Sequence, residues 1–155
     1  MQLDRHWIAS HIPHQEAMCL IDQVIEWTDK QIICRTASHR LKSNPLRTAG
    51  SLRSECGIEY GAQAIAIHGA PNAAALGAAP VAGMLVSARG VVLGVDRLDD
   101  IDGDLTVRAT RLGGDATALL YEFSICQDLR TLLSGRVSIV LKRPVARTSL
   151  NGSPQ

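Results

Sequence analysis

The chain is poor in aromatic side chains: Trp7, Trp27, Tyr60, Tyr121 and Phe123 are all it has among 155 residues. Its core must therefore be built from aliphatic and small residues, which favours close backbone approach over the packing of large rings. It also lacks paired cysteines. Cys19, Cys34, Cys56 and Cys126 are widely spaced and no C-x-x-C occurs. That pattern excludes a cysteine-pair zinc or redox motif and predicts reduced, mostly buried thiols of a cytoplasmic protein. No apolar run reaches about 18 residues, so no membrane span is expected. The N-terminal Met1-Gln2-Leu3-Asp4-Arg5-His6-Trp7 is charged where a signal peptide is apolar. Charge of one sign is missing too. With 16 basic against 15 acidic residues the net charge is +1, and no basic run attracts nucleic acid.

What is present suits one globular domain with its own core: 46% hydrophobic and 20% charged residues. The expected domain spans residues 1–144. Residues 145–155 are poor in apolar side chains and read as a flexible tail. A short helix is expected from Asp4 to His11, stopped by Pro13. Cys19 to Trp27 and Gln31 to Ser38 read as strands of a hairpin about Thr28-Asp29-Lys30. His39 to Leu52, with Pro45 and Gly50, reads as an irregular polar loop. A long helix is expected from Glu55 to Ala70, with Ser54 as its N-cap and Glu55 at the positive end of its dipole. Ala70 to Ala82 reads as a loop. Four strands follow: Met84 to Val95, Leu105 to Leu112, Ala116 to Cys126 and Leu132 to Leu141.

The long helix is unusual in its small residues. Gly57, Gly61, Ala62, Ala64 and Ala66 crowd it, while Ile58, Ala62, Ile65 and Gly69 recur on one face. Each interior glycine costs about 1 kcal/mol relative to alanine. A backbone pressed closely against a sheet would offset that cost. Two strands, one helix and four strands joined by short turns imply an α+β fold. The expected arrangement is an antiparallel sheet of about six strands wrapped around one long central helix, which is a hot-dog fold.

Several stretches resemble the hot-dog 3-hydroxyacyl-acyl carrier protein dehydratases. Ile12-Pro13-His14-Gln15 with Cys19-Leu20-Ile21-Asp22-Gln23-Val24 is similar to that family's L-P-H-R-x-P-x-L-L-V-D-R-V stretch. Glu59-Tyr60-Gly61-Ala62-Gln63 resembles its E-x-x-A-Q helix motif. Gly83 with Ala88-Arg89 resembles its G-x-x-x-A-R strand, with one residue more in the spacing. Gly103-Asp104-Leu105 resembles its G-D-x-L hairpin. The ordered match runs from about Ile12 to Arg143, and the form G-I-E-Y-x-A-Q is similar to the dehydratase-like proteins of aryl-polyene gene clusters. One departure stands out. The fatty acid enzymes carry a histidine in a G-H-F-P-G loop, 14 residues ahead of the helix glutamate. Pro45 occupies that position here, and no histidine lies between Arg40 and His68.

The resemblance implies removal of water from a 3-hydroxyacyl thioester. A base takes a proton from the carbon beside the carbonyl, an acid protonates the departing hydroxyl, and N–H groups at a helix start polarise the carbonyl. It places Glu59 in one proton-transfer role, against the plainer reading of a solvated surface carboxylate. Gln63, Gly57 and Gly83 fall on the substrate-binding side, though Gln63 equally suits a packing role. His14 is the histidine available as a catalytic partner, but the matching family residue is structural. His39, at the end of the second strand, is a weaker candidate, and His68 suits a satisfied histidine far along the helix. The spacing of His6, His11 and His14 is not that of a zinc site, so no metal is expected. Cys56 near the helix start could have a lowered thiol pKa, but packing explains it as well. Three functions stay open: a dehydratase centred on Glu59, a hot-dog thioesterase, and an incomplete subunit that completes a partner's site. The implied partners are an acyl carrier protein or coenzyme A thioester and a second hot-dog chain, as homodimer or heterodimer. No cofactor is implied.

Overall fold

The structure, a computed structural model, describes residues 3–11, 18–75, 82–115 and 117–142. Strand β1 (Leu3–Asp4) leads into helix α1 (Arg5–His11). Strands β2 (Gln23–Trp27) and β3 (Gln31–Thr36) form the expected hairpin. The central helix α2 (Gly57–Ala75) follows the polar loop. Strands β4 (Ala82–Leu93), β5 (Leu105–Gly114), β6 (Ala118–Gln127) and β7 (Arg130–Lys142) follow among the described residues. All seven strands join one antiparallel sheet in the order β1-β2-β3-β5-β6-β7-β4. Apart from the two-residue β1, this is the six-stranded hot-dog sheet around one main helix. No helix among the described residues is long and apolar enough to cross a membrane.

Alternation in the strands decides which face meets α2. Leu105, Val107 and Ala109 of β5 are buried while Arg108 is exposed. Tyr121, Phe123 and Ile125 of β6 and Leu133, Val137 and Ile139 of β7 follow the same rule. Register then lines these side chains up in rows. Cys34, Val107, Ile125 and Leu133 form one row, and Ile32, Ala109, Phe123 and Gly135 the next.

Helix α2 lies across those rows with its glycines against them. A Cβ at Gly57 would stand 2.7 Å from Leu133 Cδ1 and 3.0 Å from Ile125 Cδ1. One at Gly61 would stand 2.8 Å from the Phe123 ring. One helical turn advances α2 from the first row to the second. The glycines therefore let the backbone press on the sheet, and burial of the rows beneath offsets their propensity cost. Core residues Leu20, Ile21, Tyr60, Ile67 and Leu98 close the layer around the helix.

Two helix expectations need correction. The helix extends to Ala75 and does not stop at Ala70. Pro71 gives up one N–H and disfavours a helix interior, yet the strong helix formers Ala73-Ala74-Ala75 carry the helix past it. Ser54 is not the N-cap. It opens a 3-10 turn, Ser54–Cys56, that is capped at Arg53 without any side-chain bond. Its N–H donates to the Asp96 carbonyl at 3.0 Å, so a contact remote in sequence fixes its position. Its hydroxyl is buried without a partner. Residues 76–81 and 143–155, including the expected tail, lie outside the described residues.

Candidate active site

The chain reaches α2 on a braced path. Leu52 N–H donates to Asp99 Oδ1 at 2.9 Å, and the Leu98 N–H donates to the Leu52 carbonyl at 2.8 Å. Asp99 is paired with the Arg97 guanidinium, which holds its carboxyl well below the usual carboxylate range. These contacts fix the start of the helix relative to the turn before β5. The Gly57 N–H is already spent inside the turn, on the carbonyls of Ser54 and Glu55.

Glu59 follows on the first turn of α2 and is half-buried. The next residue, Tyr60, is fully buried. Its hydroxyl accepts from Asn44 Nδ2 at 3.0 Å and bonds the Ser38 hydroxyl at 2.8 Å. Asn44 Nδ2 also donates to the Ser38 carbonyl at 2.9 Å, and Asn44 Oδ1 accepts from the Leu46 N–H at 2.9 Å. The residues on both sides of Pro45 are thereby locked, and the loop carrying Pro45 is tied to the residue adjoining Glu59. Burial pushes the Tyr60 phenol up, so it acts as a neutral donor and acceptor.

The network runs on towards β2. Ser38 Oγ donates to the Leu20 carbonyl at 2.6 Å. Asp22 Oδ2 accepts from the Ala37 N–H at 2.7 Å, while Asp22 Oδ1 pairs with Arg5 at 3.0 Å. Sequence reasoning missed this cluster. Its one local signal was a tyrosine, the one aromatic residue of a helix rich in glycine and alanine.

Gln63 sits one turn beyond Glu59 and is fully buried. Its Nε2 donates to the Met18 carbonyl at 2.6 Å and its Oε1 accepts from the Leu20 N–H at 2.9 Å. The side chain thus clamps the segment that enters β2. Gly57 faces the sheet beside Leu133. Gly83 lies in β4, in register with Leu141. His14 lies outside the described residues.

The other histidines described in the core are engaged. His39 is fully buried, with Nε2 at 3.0 Å from the Ile101 carbonyl. His68 is buried farther along the helix, where Nε2 stands 2.7 Å from the Thr28 carbonyl and Nδ1 meets the Tyr121 hydroxyl. A carbonyl can only accept, so Nε2 carries the proton in both rings. Burial lowers both histidine pKa values. The Tyr121 phenol is pushed up to about 12 by burial. Cys56 is half-buried, and burial with the nearby Glu55 charge raises its thiol pKa, opposite to an activated nucleophile. Among the described residues no group of three His, Cys, Asp or Glu could hold a metal ion.

Comparison with known proteins assigns the family. Residues 6–149 match the model of ApeP-like proteins, described as ApeP dehydratase. The chain belongs to the ApeP-like dehydratase family. No curated protein sequence matches it. Among solved structures, this ApeP-like chain is similar to a chain of the dehydratase heterocomplex ApeI:P from Xenorhabdus doucetiae. The TM-score is 0.80 at 23% identity, covering 94% of this chain and 97% of that one. A thioesterase from Haemophilus influenzae matches with TM-score 0.56 at 10% identity, over 88% and 83% of the two chains. A hypothetical thioesterase with coenzyme A from Streptococcus pneumoniae matches with TM-score 0.53 at 14% identity, over 77% and 84%. At these identities the structural matches carry the hot-dog fold alone.

Proposed function

We propose that this chain is the glutamate-bearing subunit of a 3-hydroxyacyl-thioester dehydratase, and that a second hot-dog chain supplies the missing histidine. The observation that carries this reading is the pairing of Glu59 with Pro45. The helix turn and the loop that would hold the two proton-transfer groups are tied together through Tyr60 and Asn44. Only one of the two groups is present. The ApeP-like family match supports the reaction class. The solved relative's place in a dehydratase heterocomplex supports a paired assembly.

The sheet offers the means of pairing. β4 is a 12-residue strand at the end of the strand order, so one of its edges has no partner among the described residues. An open edge of that length recruits another strand. In the reaction, the C2–H and C3–O bonds break, the C2–C3 double bond forms, and the hydroxyl leaves as water after taking a proton. A carboxylate such as Glu59 and an imidazole on the partner divide the two proton transfers. The acyl chain is carried on acyl carrier protein or coenzyme A.

The test is mass spectrometry of a 3-hydroxyacyl carrier protein incubated with the chain alone and with a hot-dog partner bearing the loop histidine. The pair should release one water from the substrate far faster than either chain alone. Glu59→Gln in this chain should slow the pair by about 10²-fold or more. Full activity of the Glu59→Gln pair would sink the assignment. Release of free thiol in place of water would identify a thioesterase.

A further inference from the structure

The face of the sheet turned away from α2 carries an open trough of about 880 Å³ that crosses β5, β6, β7 and β4. Register sets its walls. In one row Glu122 faces Arg136, and Arg136 faces Arg89. In the adjacent row Arg108, Ser124 and Ser134 stand side by side. Glu122 approaches Arg136 only to 3.6 Å, with both side chains more than half exposed, so the pair is weak. Among the described residues, neither Arg89 nor Arg108 has a carboxylate within ion-pair distance.

Three guanidinium groups therefore share the trough with one carboxylate, in a molecule whose net charge is only +1. Arg89 and Arg136 are direct register partners, and like charges on facing positions destabilise a sheet unless something anionic lies between them. A guanidinium fork flanked by hydroxyls is a donor set suited to phosphate. Strands lie about 4.8 Å apart and a row step along a strand is about 7 Å, so the backbones at Arg108 on β5 and Arg89 on β4, three strands and one row apart, are about 16 Å from one another. A single phosphate cannot span that separation, whereas an extended anion with two or more can. The volume is that of a pocket for a ligand of nucleotide size. Glu59 lies on the helix that covers the opposite face, so the trough is separate from the proposed reaction site.

We propose that the outer face of this sheet binds a phosphate-bearing polyanion of nucleotide size, with Arg108 at one end and the Arg89–Arg136 pair at the other. Free nucleotide and the nucleotide end of coenzyme A share that chemistry.

Isothermal titration of the full chain with ADP tests it. Saturable binding is expected, weaker at about 0.15 M salt than at low salt because exposed charges are screened. Arg108→Ala and Arg136→Ala should each weaken it roughly tenfold. Arg40→Ala with Lys42→Ala, on the loop before α2, should leave it unchanged. Inorganic pyrophosphate should compete, and adenosine should not bind. Equal affinity for ADP and coenzyme A supports the site with free nucleotide as one source, whereas much tighter coenzyme A binding supports it with the thioester carrier as the source. Absence of ADP and pyrophosphate binding, or binding indifferent to both arginine variants, overturns the proposal. Binding of a polyglutamate peptide without ADP binding also overturns it, and assigns the face to an acidic protein surface.

Discussion

At the scale of single residues, two buried polar side chains do opposite things. Gln63 has both ends of its amide satisfied by the backbone of Met18 and Leu20. Truncation would leave a buried N–H and a carbonyl unpaired beside a cavity. Gln63→Ala should therefore lower the free energy of unfolding by about 3 kcal/mol, read from the urea midpoint. Ser54 is as deeply buried, but its hydroxyl has no partner. An N-cap serine would cost about 1 kcal/mol when changed to alanine. Ser54→Ala should instead be neutral or stabilising, and the same denaturation experiment separates the two outcomes. These contrasting fates explain why the two positions look alike in sequence and differ in consequence. Each is a polar residue at a helix, and only the distant backbone around it distinguishes clamp from leftover.

At the scale of elements, α2 and the approach to it are each held by a buried histidine. Near its start the loop before it holds His39, bonded to Ile101. Farther along α2, His68 joins Thr28, Tyr121 and, through its own carbonyl, the Trp27 indole N–H at 2.9 Å. Burial depresses both histidine pKa values in the folded state. A histidine whose folded pKa lies below its unfolded one gives stability that is complete above the unfolded value. That stability falls away as pH drops below it, because the unfolded chain then binds more protons. The urea midpoint should thus be flat above about pH 7 and fall below about pH 6.5. The double variant His39→Gln/His68→Gln, though less stable at neutral pH, should lose most of that dependence. An equal slope in wild type and variant would place the acid sensitivity elsewhere.

At the scale of the whole molecule, the sheet has unequal ends. One closes on the two-residue β1, which pairs only Leu3 and Asp4 with β2. The other ends in β4, where Val92 and Leu93 are exposed. Short edges resist pairing and long ones invite it. Association of this chain, with itself or with a hot-dog partner, should therefore run through β4. Lysines placed there by Val92→Lys and Leu93→Lys should shift the assembly towards monomer in sedimentation velocity while circular dichroism stays unchanged. The outer trough draws on the same strand, since Arg89 belongs to β4 as well. Its residues face away from the helix, so assembly through the edge and binding on the outer face use different parts of one element.

The sequence by itself determined the order of the main elements, the alternating faces of β5 and β7, and the tight seat of α2 over the sheet. All three rest on short-range regularities: period-two burial, two glycines one helical turn apart, and turn residues between strands. It also placed Glu59 close to the helix start and exposed the loss of the loop histidine at Pro45. Only the tertiary structure decided what those residues meet. It sent β4 past its neighbours in sequence to pair with β7, and it made Gln63 a clamp on residues more than 40 positions earlier. It also moved the helix start by drawing Ser54 to Asp96, and gathered arginines from three strands into one trough. Each of these depends on contacts between segments far apart along the chain. Local periodicity sets which face of an element is apolar, but the partner that covers it is chosen by the packing of the whole.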